Sequence, residues 1–419
     1  MHFGLFTYGS RGDVQPYMAL ALGLMYNGHQ VTLAAPENFK GLVESYGINF
    51  HALHGNAEEL IYSPECLQVI KSGNDVAFLK HLFNLLSNMK EPLLESLLSC
   101  GNQVDAFIVN NLGADIYGAV AEKLGKKMLI VQLNPPNIST REFAMPGLDW
   151  INISWYNKLT YSIANAVLWK LAKKTTYTFR NLLQLPPLKQ SIFKQYIEDK
   201  IPVIHAFSAE LIKRPADWQE QHIITGFLTI PPQVTKNEYQ APAELADWLA
   251  LGDKPVYIGF GSIPVPDPEK FQHIIEHLLL NTSHRIIFCT GWSQIPNLPQ
   301  HPNLFVVSHA NHQWLLPQCK TAVIHGGVGT LAAVLKAGIP VIVVSIFVDQ
   351  PLWGKMIAKK KNGVHIPWRK LTAVKLLNAI NQTASIQMQN QAKLTGENIN
   401  QEDGVKNAVD AIERYLIKK

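Results

Sequence analysis

The sequence predicts an α/β protein with two similar halves, each a doubly wound, mostly parallel sheet. Three observations predict it. Short apolar runs alternate with helical patterns across residues 2–133. The same alternation restarts at residue 255, after a stretch rich in proline and polar residues. Between residues 321 and 351 an apolar run, TAVI, breaks on His325-Gly326-Gly327; a small-residue helical pattern follows, and a second run, VIVVS, leads into Asp349-Gln350-Pro351. Repeated strand–helix–strand units of this kind build a parallel sheet with helices on both faces.

In the first half, HFGLFTY (2–8), QVTLAAP (30–36), INFHAL (48–53), VDAFIVN (104–110) and KMLIVQL (127–133) read as strands. Helical periodicity covers 16–27, a long stretch at 76–99, and 114–125. Loop signals at Pro135-Pro136 and Pro146-Gly147 then break the rhythm. Tyr156, Leu159, Ile163, Val167 and Leu171 recur at helical spacing, so a long helix is expected around 155–184, ended by Pro186-Pro187. PVIHAFS (202–208) and HIITGFL (222–228) return to strand. Residues 229–254, with Pro231-Pro232 and Pro242, read as a linker. The second half holds strands at 255–262, RIIFCT, NLFVVS, TAVI and VIVVS, and helices at about 268–281, 350–361, 371–383 and 402–417. The expected domains are 1–230, with an insert at 134–200; a linker at 231–254; 255–400; and a helix at 401–419 packing back on the first domain. Ligands of such sheets sit outside the carboxyl ends of the strands. Two facing units would place the site in the cleft between them.

At 419 residues the chain is long enough for two full cores. The formal charge of +5 is spread out rather than gathered in a basic stripe, so nucleic acid is not an expected partner. Cys66, Cys100, Cys289 and Cys319 lie far apart, with no metal-ligand or disulfide spacing. A reducing compartment follows. The first eight residues read as a strand rather than a secretory leader, and the longest apolar tract, 322–348, is interrupted by His325, Lys336 and Pro340. A cytoplasmic location is therefore expected.

The turn after TAVI is suited to anionic phosphate, because free N–H groups and the helix dipole point at it. His325 stands where a donor to phosphate is useful; the plainer reading is a structural histidine. Thr330 in the first helical turn caps or binds phosphate. Asp349 and Gln350 offer acceptors and donors to vicinal hydroxyls, or start the helix that follows. Gly327-Val328-Gly329-Thr330-Leu331-Ala332 also fits a dinucleotide fingerprint, with Asp349 about 20 residues on, so a nicotinamide oxidoreductase is a competing reading. In the first half, Asp13 follows the first strand in the turn Gly9-Ser10-Arg11-Gly12-Asp13. A carboxylate there serves as general base for a hydroxyl nucleophile, or as an N-cap. Gly259-Phe260-Gly261-Ser262 ends the first strand of the second half and allows close backbone approach.

These residues sit in longer stretches that resemble the family-1 glycosyltransferases of the GT-B fold, above all sterol 3-β-glucosyltransferases and the bacterial glycosyltransferases of antibiotic biosynthesis. The resemblance runs through GSRGDVQP (9–16), GHQVTLAAPENF (28–39), IHAFSAELIKRPADW (204–218), YIGFGSI (257–263), HQWLLPQC (312–319), HGGVGT (325–330), KAGIPVIVV (336–344) and DQPLWG (349–354). It implies two facing Rossmann-like domains, the first for the acceptor and the second for a nucleotide-sugar donor. It implies transfer of a hexose, glucose above all, from a UDP-sugar to the hydroxyl of a lipophilic acceptor, with inversion, no metal and no cofactor. By the same resemblance Asp13 is the base, Ser262, His325, Gly327, Gly329 and Thr330 hold the diphosphate, Trp314 and Leu315 hold the uracil, and Asp349 and Gln350 hold the sugar. The chain departs from the pattern at Ile324, where relatives carry a second histidine, at Gln313, where an acid is common, and at Leu316, where phenylalanine is usual.

The 134–200 insert is expected to shape the acceptor pocket, with Phe143, Trp150 and Trp155 as its aromatic candidates. Its lysines, among them Lys170, Lys173 and Lys174, also suit peripheral contact with an anionic membrane surface. A sugar-nucleotide epimerase of the same architecture is a further alternative.

Overall fold

The computed structural model describes residues 1–135, 137–145, 148–231, 241–293, 295 and 298–418. The chain divides into two compact units. The first comprises Met1–Leu60, Asp75–Pro231 and Glu402–Lys419; the second comprises Ile61–Asn74 and Pro232–Gln401.

The first unit holds strands β1 (His2–Phe6), β2 (Gln30–Pro36), β3 (Asn49–Leu53), β4 (Ala106–Asn110), β5 (Lys127–Gln132), β6 (Val203–His205) and β7 (His222–Ile224). They lie in the order β3-β2-β1-β4-β5-β6-β7, all parallel. The second unit holds β8 (Val256–Gly259), β9 (Ile286–Cys289), β10 (Leu304–Val307), β11 (Thr321–Ile324), β12 (Val341–Ser345) and β13 (Gly363–Pro367), in the order β10-β9-β8-β11-β12-β13, also parallel. Every residue of β4, β11 and β12 is buried, as expected of strands covered on both faces. In each sheet the winding direction reverses once, between β1 and β4 and between β8 and β11. The crevice at such a reversal, at the carboxyl ends, is where open α/β sheets take ligands.

In the first core Phe6 stacks on Phe107 at 4.4 Å, among Phe83, Leu97, Val120 and Phe179. In the second, Phe260, Phe271, Phe288 and Trp368 pack edge and face. Cutting a fully buried ring such as Phe271 to alanine costs about 3–5 kcal/mol. The last helix, Gly404–Ile412, lies in the first unit, where Val405 fills the space against Gly23 and Glu413 meets His29 at 3.1 Å.

Several elements differ from expectation. The stretch 76–99 is two helices, Asp75–Asn88 and Lys90–Asn102. Pro92 is the cause, since its ring has no N–H for the carbonyl of Asn88 and collides with it. Residues 229–254 are not simply a linker: Ala243–Ala250 is a helix, with Leu245 buried and the Arg285 guanidinium 3.7 Å over the Trp248 ring. Pro136, Pro146, Gly147 and residues 232–240 fall outside the described residues. Ile61–Asn74, within the expected first domain, belongs to the second unit, where Gly73 lies against Arg369. Strand β13 and the helix Ile386–Asn400 carried no expectation. The long helix runs Ser154–Leu182, but Leu159, Ile163 and Val167 face solvent rather than a core.

Candidate functional site

Ile324 pairs with Gly259, so the carboxyl ends of β8 and β11 stand side by side in the second unit. His325 follows directly and is 7% exposed. Burial lowers its pKa to about 4, so the imidazole is neutral near pH 7. Its Nδ1 is buried with no hydrogen-bond partner. Such an orphan costs free energy unless a ligand or function answers it. The chain then reverses through Gly326, at φ +99°, and Gly327, where a Cβ would strike His325 Nε2. Gly327 is the N-cap of the helix Val328–Lys336, and no side chain caps that end. The first N–H groups of a helix lack intrahelical partners and carry partial positive charge, so this end is suited to an anion. The backbone at Gly329 faces open space. A Cβ at Gly261 would lie 3.4 Å from His325 Cε1 and 3.9 Å from Thr330 Oγ1. Gly261, His325 and Thr330 thus crowd one spot, with Ser262 next in the chain.

Two neighbouring segments hold the other expected residues. Trp314 and Leu315 lie on the short helix His312–Leu315, capped by Asn311 and tied to β8 by a 2.8 Å bond between His312 Nε2 and the Tyr257 hydroxyl. Trp314 is half-buried, whereas the Leu315 side chain is wholly buried, which leaves that residue only its backbone to offer. Beyond β12, Val348 holds φ +58°. That conformation costs a β-branched residue about 1–2 kcal/mol. Gln350 stabilises this loop: its Oε1 accepts from the N–H of Ile346 at 2.8 Å and of Phe347 at 3.3 Å. Asp349 occupies the N-cap position without capping; its Oδ2 accepts from Trp353 Nε1 at 3.0 Å.

In the first unit Asp13 is the third residue of the helix Arg11–Tyr26, and Ser10 is the cap. Asp13 Oδ2 accepts from the Ser10 N–H at 2.8 Å and hydroxyl at 3.2 Å, while Ser10 Oγ accepts from the Gly12 N–H at 3.2 Å, a reciprocal capping box. Gly9 has no room for a side chain because the Asp13 carboxylate fills the place of a Cβ. Burial raises the Asp13 pKa, against the lowering effect of the bonds from Ser10 and of the nearby Asn110 amide. Asn110, at the end of β4, donates to Thr7 Oγ1 at 3.0 Å. In the sequence Asn110 is marked only as a polar residue closing the otherwise apolar strand β4.

The acceptor candidates separate. Phe143 is half-buried, but Trp150 is 80% and Trp155 64% exposed. A small apolar hollow of about 20 Å³ lies instead among Tyr8, Leu86, Leu93, Leu112, Ile116 and Tyr117, past the ends of β1 and β4. A much larger cavity, about 1080 Å³, opens at the amino ends of β5, β6 and β7, lined by Lys127, Pro202 and Gln221 among others. It lies at the end of the sheet where parallel folds of this kind do not place their chemistry. Among the described residues no group of three or more His, Cys, Asp or Glu side chains is placed to hold a metal ion, and no helix is long and apolar enough to cross a membrane.

Known proteins match both units. Residues 3–140 match the glycosyltransferase family 28 N-terminal domain, and residues 279–404 the C-terminal domain of the erythromycin biosynthesis protein CIII-like family. A sterol 3-beta-glucosyltransferase of Arabidopsis thaliana is 34% identical over 99% of this chain and 66% of its own length. A second from the same plant is 33% identical over 99% and 68%. One from Cryptococcus neoformans is 30% identical over 98% of this chain but 27% of its own length. The chain thus spans about two thirds of the plant relatives and about a quarter of the fungal one. Among solved structures, the glycotransferase of kitacinnamycin superposes with a TM-score of 0.71 at 16% identity, covering 99% of both chains. The calicheamicin glycosyltransferase does so at 0.65 and 15%, covering 100% of this chain and 98% of its own. These likenesses show the GT-B fold. With the plant sequences beside them, they establish that the chain belongs to the glycosyltransferase family of the sterol 3-beta-glucosyltransferases.

Proposed function

We propose that this protein is a hexosyltransferase that moves glucose from UDP-glucose to the hydroxyl of a sterol-like lipid. The observation that carries the donor half is the buried, unpartnered His325 beside the uncapped N-terminus at Gly327. The names of the plant and fungal relatives support the acceptor class.

The reaction proceeds in one displacement. The acceptor oxygen bonds to the anomeric carbon from the face opposite the diphosphate, the bond from that carbon to the phosphate oxygen breaks, and the configuration inverts. The hydroxyl proton passes to the Asp13 carboxylate, and UDP leaves with the bonding pair. Charge growing on the leaving diphosphate is met by the N–H groups after Gly327, by Thr330 and Ser262, and by one N–H of the neutral His325 imidazole. Trp314 stacks on the uracil and Leu315 meets it through its backbone. Asp349 and the amide nitrogen of Gln350, which takes no part in the clasp on residues 346 and 347, hold the sugar hydroxyls. The scheme uses neither a metal nor a cofactor. We place the enzyme in the cytoplasm, at the surface of a membrane that supplies the acceptor.

The oxidoreductase reading asks for a carboxylate at the strand tip to hold a ribose. Asp349 stands four residues past the end of β12 at Ser345, and its carboxylate already accepts from Trp353. Incubation with UDP-glucose and a sterol panel tests the proposal, with UDP and glycolipid read by mass spectrometry. Glycolipid formed together with UDP supports it. UDP-sugar converted to an epimer, or UDP bound without turnover, overturns it.

A further inference from the structure

The helix Ser154–Leu182 has two faces of opposite character. One packs into the first unit through Thr160, Tyr161, Ala172, Thr175, Thr176 and Phe179. The other is apolar and open to solvent: Trp155 is 64% exposed, Leu159 44%, Ile163 49% and Val167 45%. Steps of four residues advance about 40° each around the helix, so these side chains form one continuous stripe. Just before the helix, Trp150 and Ile151 are exposed as well. Contiguous exposed apolar surface on a soluble domain marks a binding face.

Charge identifies what binds. At about 100° per residue, Lys170, Lys173 and Lys174 extend the same outward face by about two further turns. The helix contains no Asp or Glu along its 29 residues. A second copy of this helix would meet it with like charge, whereas an anionic bilayer offers acyl chains to the stripe and headgroups to the lysines. Tryptophan at the edge of such a face is suited to the headgroup boundary, where its ring is apolar and its N–H is wet.

We infer that the outward face of Ser154–Leu182 docks on an anionic phospholipid surface, the stripe entering the acyl boundary and Lys170, Lys173 and Lys174 pairing with headgroups. The inference deepens the membrane location given above and rests on that reading. Lipid binding of this kind grows with both the buried apolar area and the attraction to anionic lipid.

Sedimentation with vesicles of phosphatidylcholine containing phosphatidylserine, against vesicles of phosphatidylcholine alone, tests it. The full chain is expected to bind the anionic vesicles at least tenfold more tightly. Leu159→Glu with Ile163→Glu, and separately Lys170→Gln with Lys173→Gln, are each expected to weaken that binding at least tenfold. UDP affinity and the thermal midpoint are expected to stay at the parent values, which separates lost docking from lost folding. Equal binding to both vesicle types, no binding to either, or a stable dimer in solution that Leu159→Glu with Ile163→Glu dissolves would each overturn the inference. Transfer to detergent-dispersed sterol, assayed in parallel, reports on the activity itself: its presence without vesicle binding refutes the docking face alone, and its absence refutes the activity.

Discussion

The Asp13 carboxylate accepts two hydrogen bonds from one residue, Ser10, through its N–H at 2.8 Å and its hydroxyl at 3.2 Å. The same carboxylate that starts a helix is thereby fixed in direction at the carboxyl end of β1. A helix cap and the proposed role of general base are compatible here, since both bonds from Ser10 fall on Oδ2. They also hold the pKa down against burial, which pushes it up. Asp13→Asn keeps the size of the group and removes its basicity. Turnover is expected to fall by about two to four orders of magnitude with UDP-glucose affinity retained. Single-turnover kinetics beside calorimetry check this; turnover near the parent rate would remove Asp13 from the mechanism.

Ser10→Ala removes the hydroxyl from that clasp and leaves the backbone N–H. The helix loses about 1 kcal/mol of capping. With one stabilising bond gone, the Asp13 pKa rises further, so the acid limb of the rate profile is expected to move to higher pH. An unchanged acid limb in a kcat/KM profile would show that the bond does not act on the base.

His325→Ala opens a gap beside Gly327 and takes away the only side chain of the turn that carries a ring N–H. UDP affinity by calorimetry is expected to drop about tenfold or more, the equivalent of a hydrogen bond to a charged group. Affinity equal to that of the parent would rule out the phosphate role.

Asp349→Ala distinguishes the sugar from the nucleotide. The proposed contact is to glucose hydroxyls, so the KM for UDP-glucose is expected to rise while the Kd of UDP stays constant. Trp353→Phe serves as the control, since it breaks the 3.0 Å bond to Asp349 but keeps the carboxylate. A parallel loss of UDP affinity in Asp349→Ala would mean that the residue holds the loop rather than the sugar.

Acid weakens the fold through histidines buried neutral. His222 and His325 both have pKa values lowered to about 4, the first by burial and the Arg214 cation, the second by burial. Between the unfolded value of 6.5 and 4 the unfolded chain binds more protons, so stability is full above about pH 7 and falls as the pH drops through that window. Each histidine is expected to cost about 2 kcal/mol of stability at pH 5. Denaturant melts at pH 8 and pH 5 measure this, and His222→Gln is expected to flatten the dependence.

Strands with unbroken apolar runs were legible in the sequence to within a residue, as at TAVI and VIVVS, because burial on both faces leaves no other pattern. Strand β13, GVHIP, was not, since its Gly and Pro resemble a turn and only pairing with β12 makes it a strand. The glycine turn at His325 was legible because its chemistry is local to a few residues. The network of Thr7, Asn110 and Asp13 was not, because it depends on β1 and β4 lying adjacent across 100 residues of chain. Helical spacing at Leu159, Ile163 and Val167 located a helix correctly but not the side it presents. Period reports a face; only packing against Thr175, Thr176 and Phe179 decides that the other face is the buried one.

The central proposed step is the transfer of glucose from UDP-glucose to a lipid hydroxyl. The most direct measurement is mass spectrometry of the lipid extract after incubation with UDP-glucose and sterol, comparing the parent with Asp13→Asn. A β-linked hexosyl sterol is expected in the parent, matched mole for mole by UDP, and at most a trace in the variant. UDP release with no glycolipid, or equal glycolipid from both proteins, would contradict it.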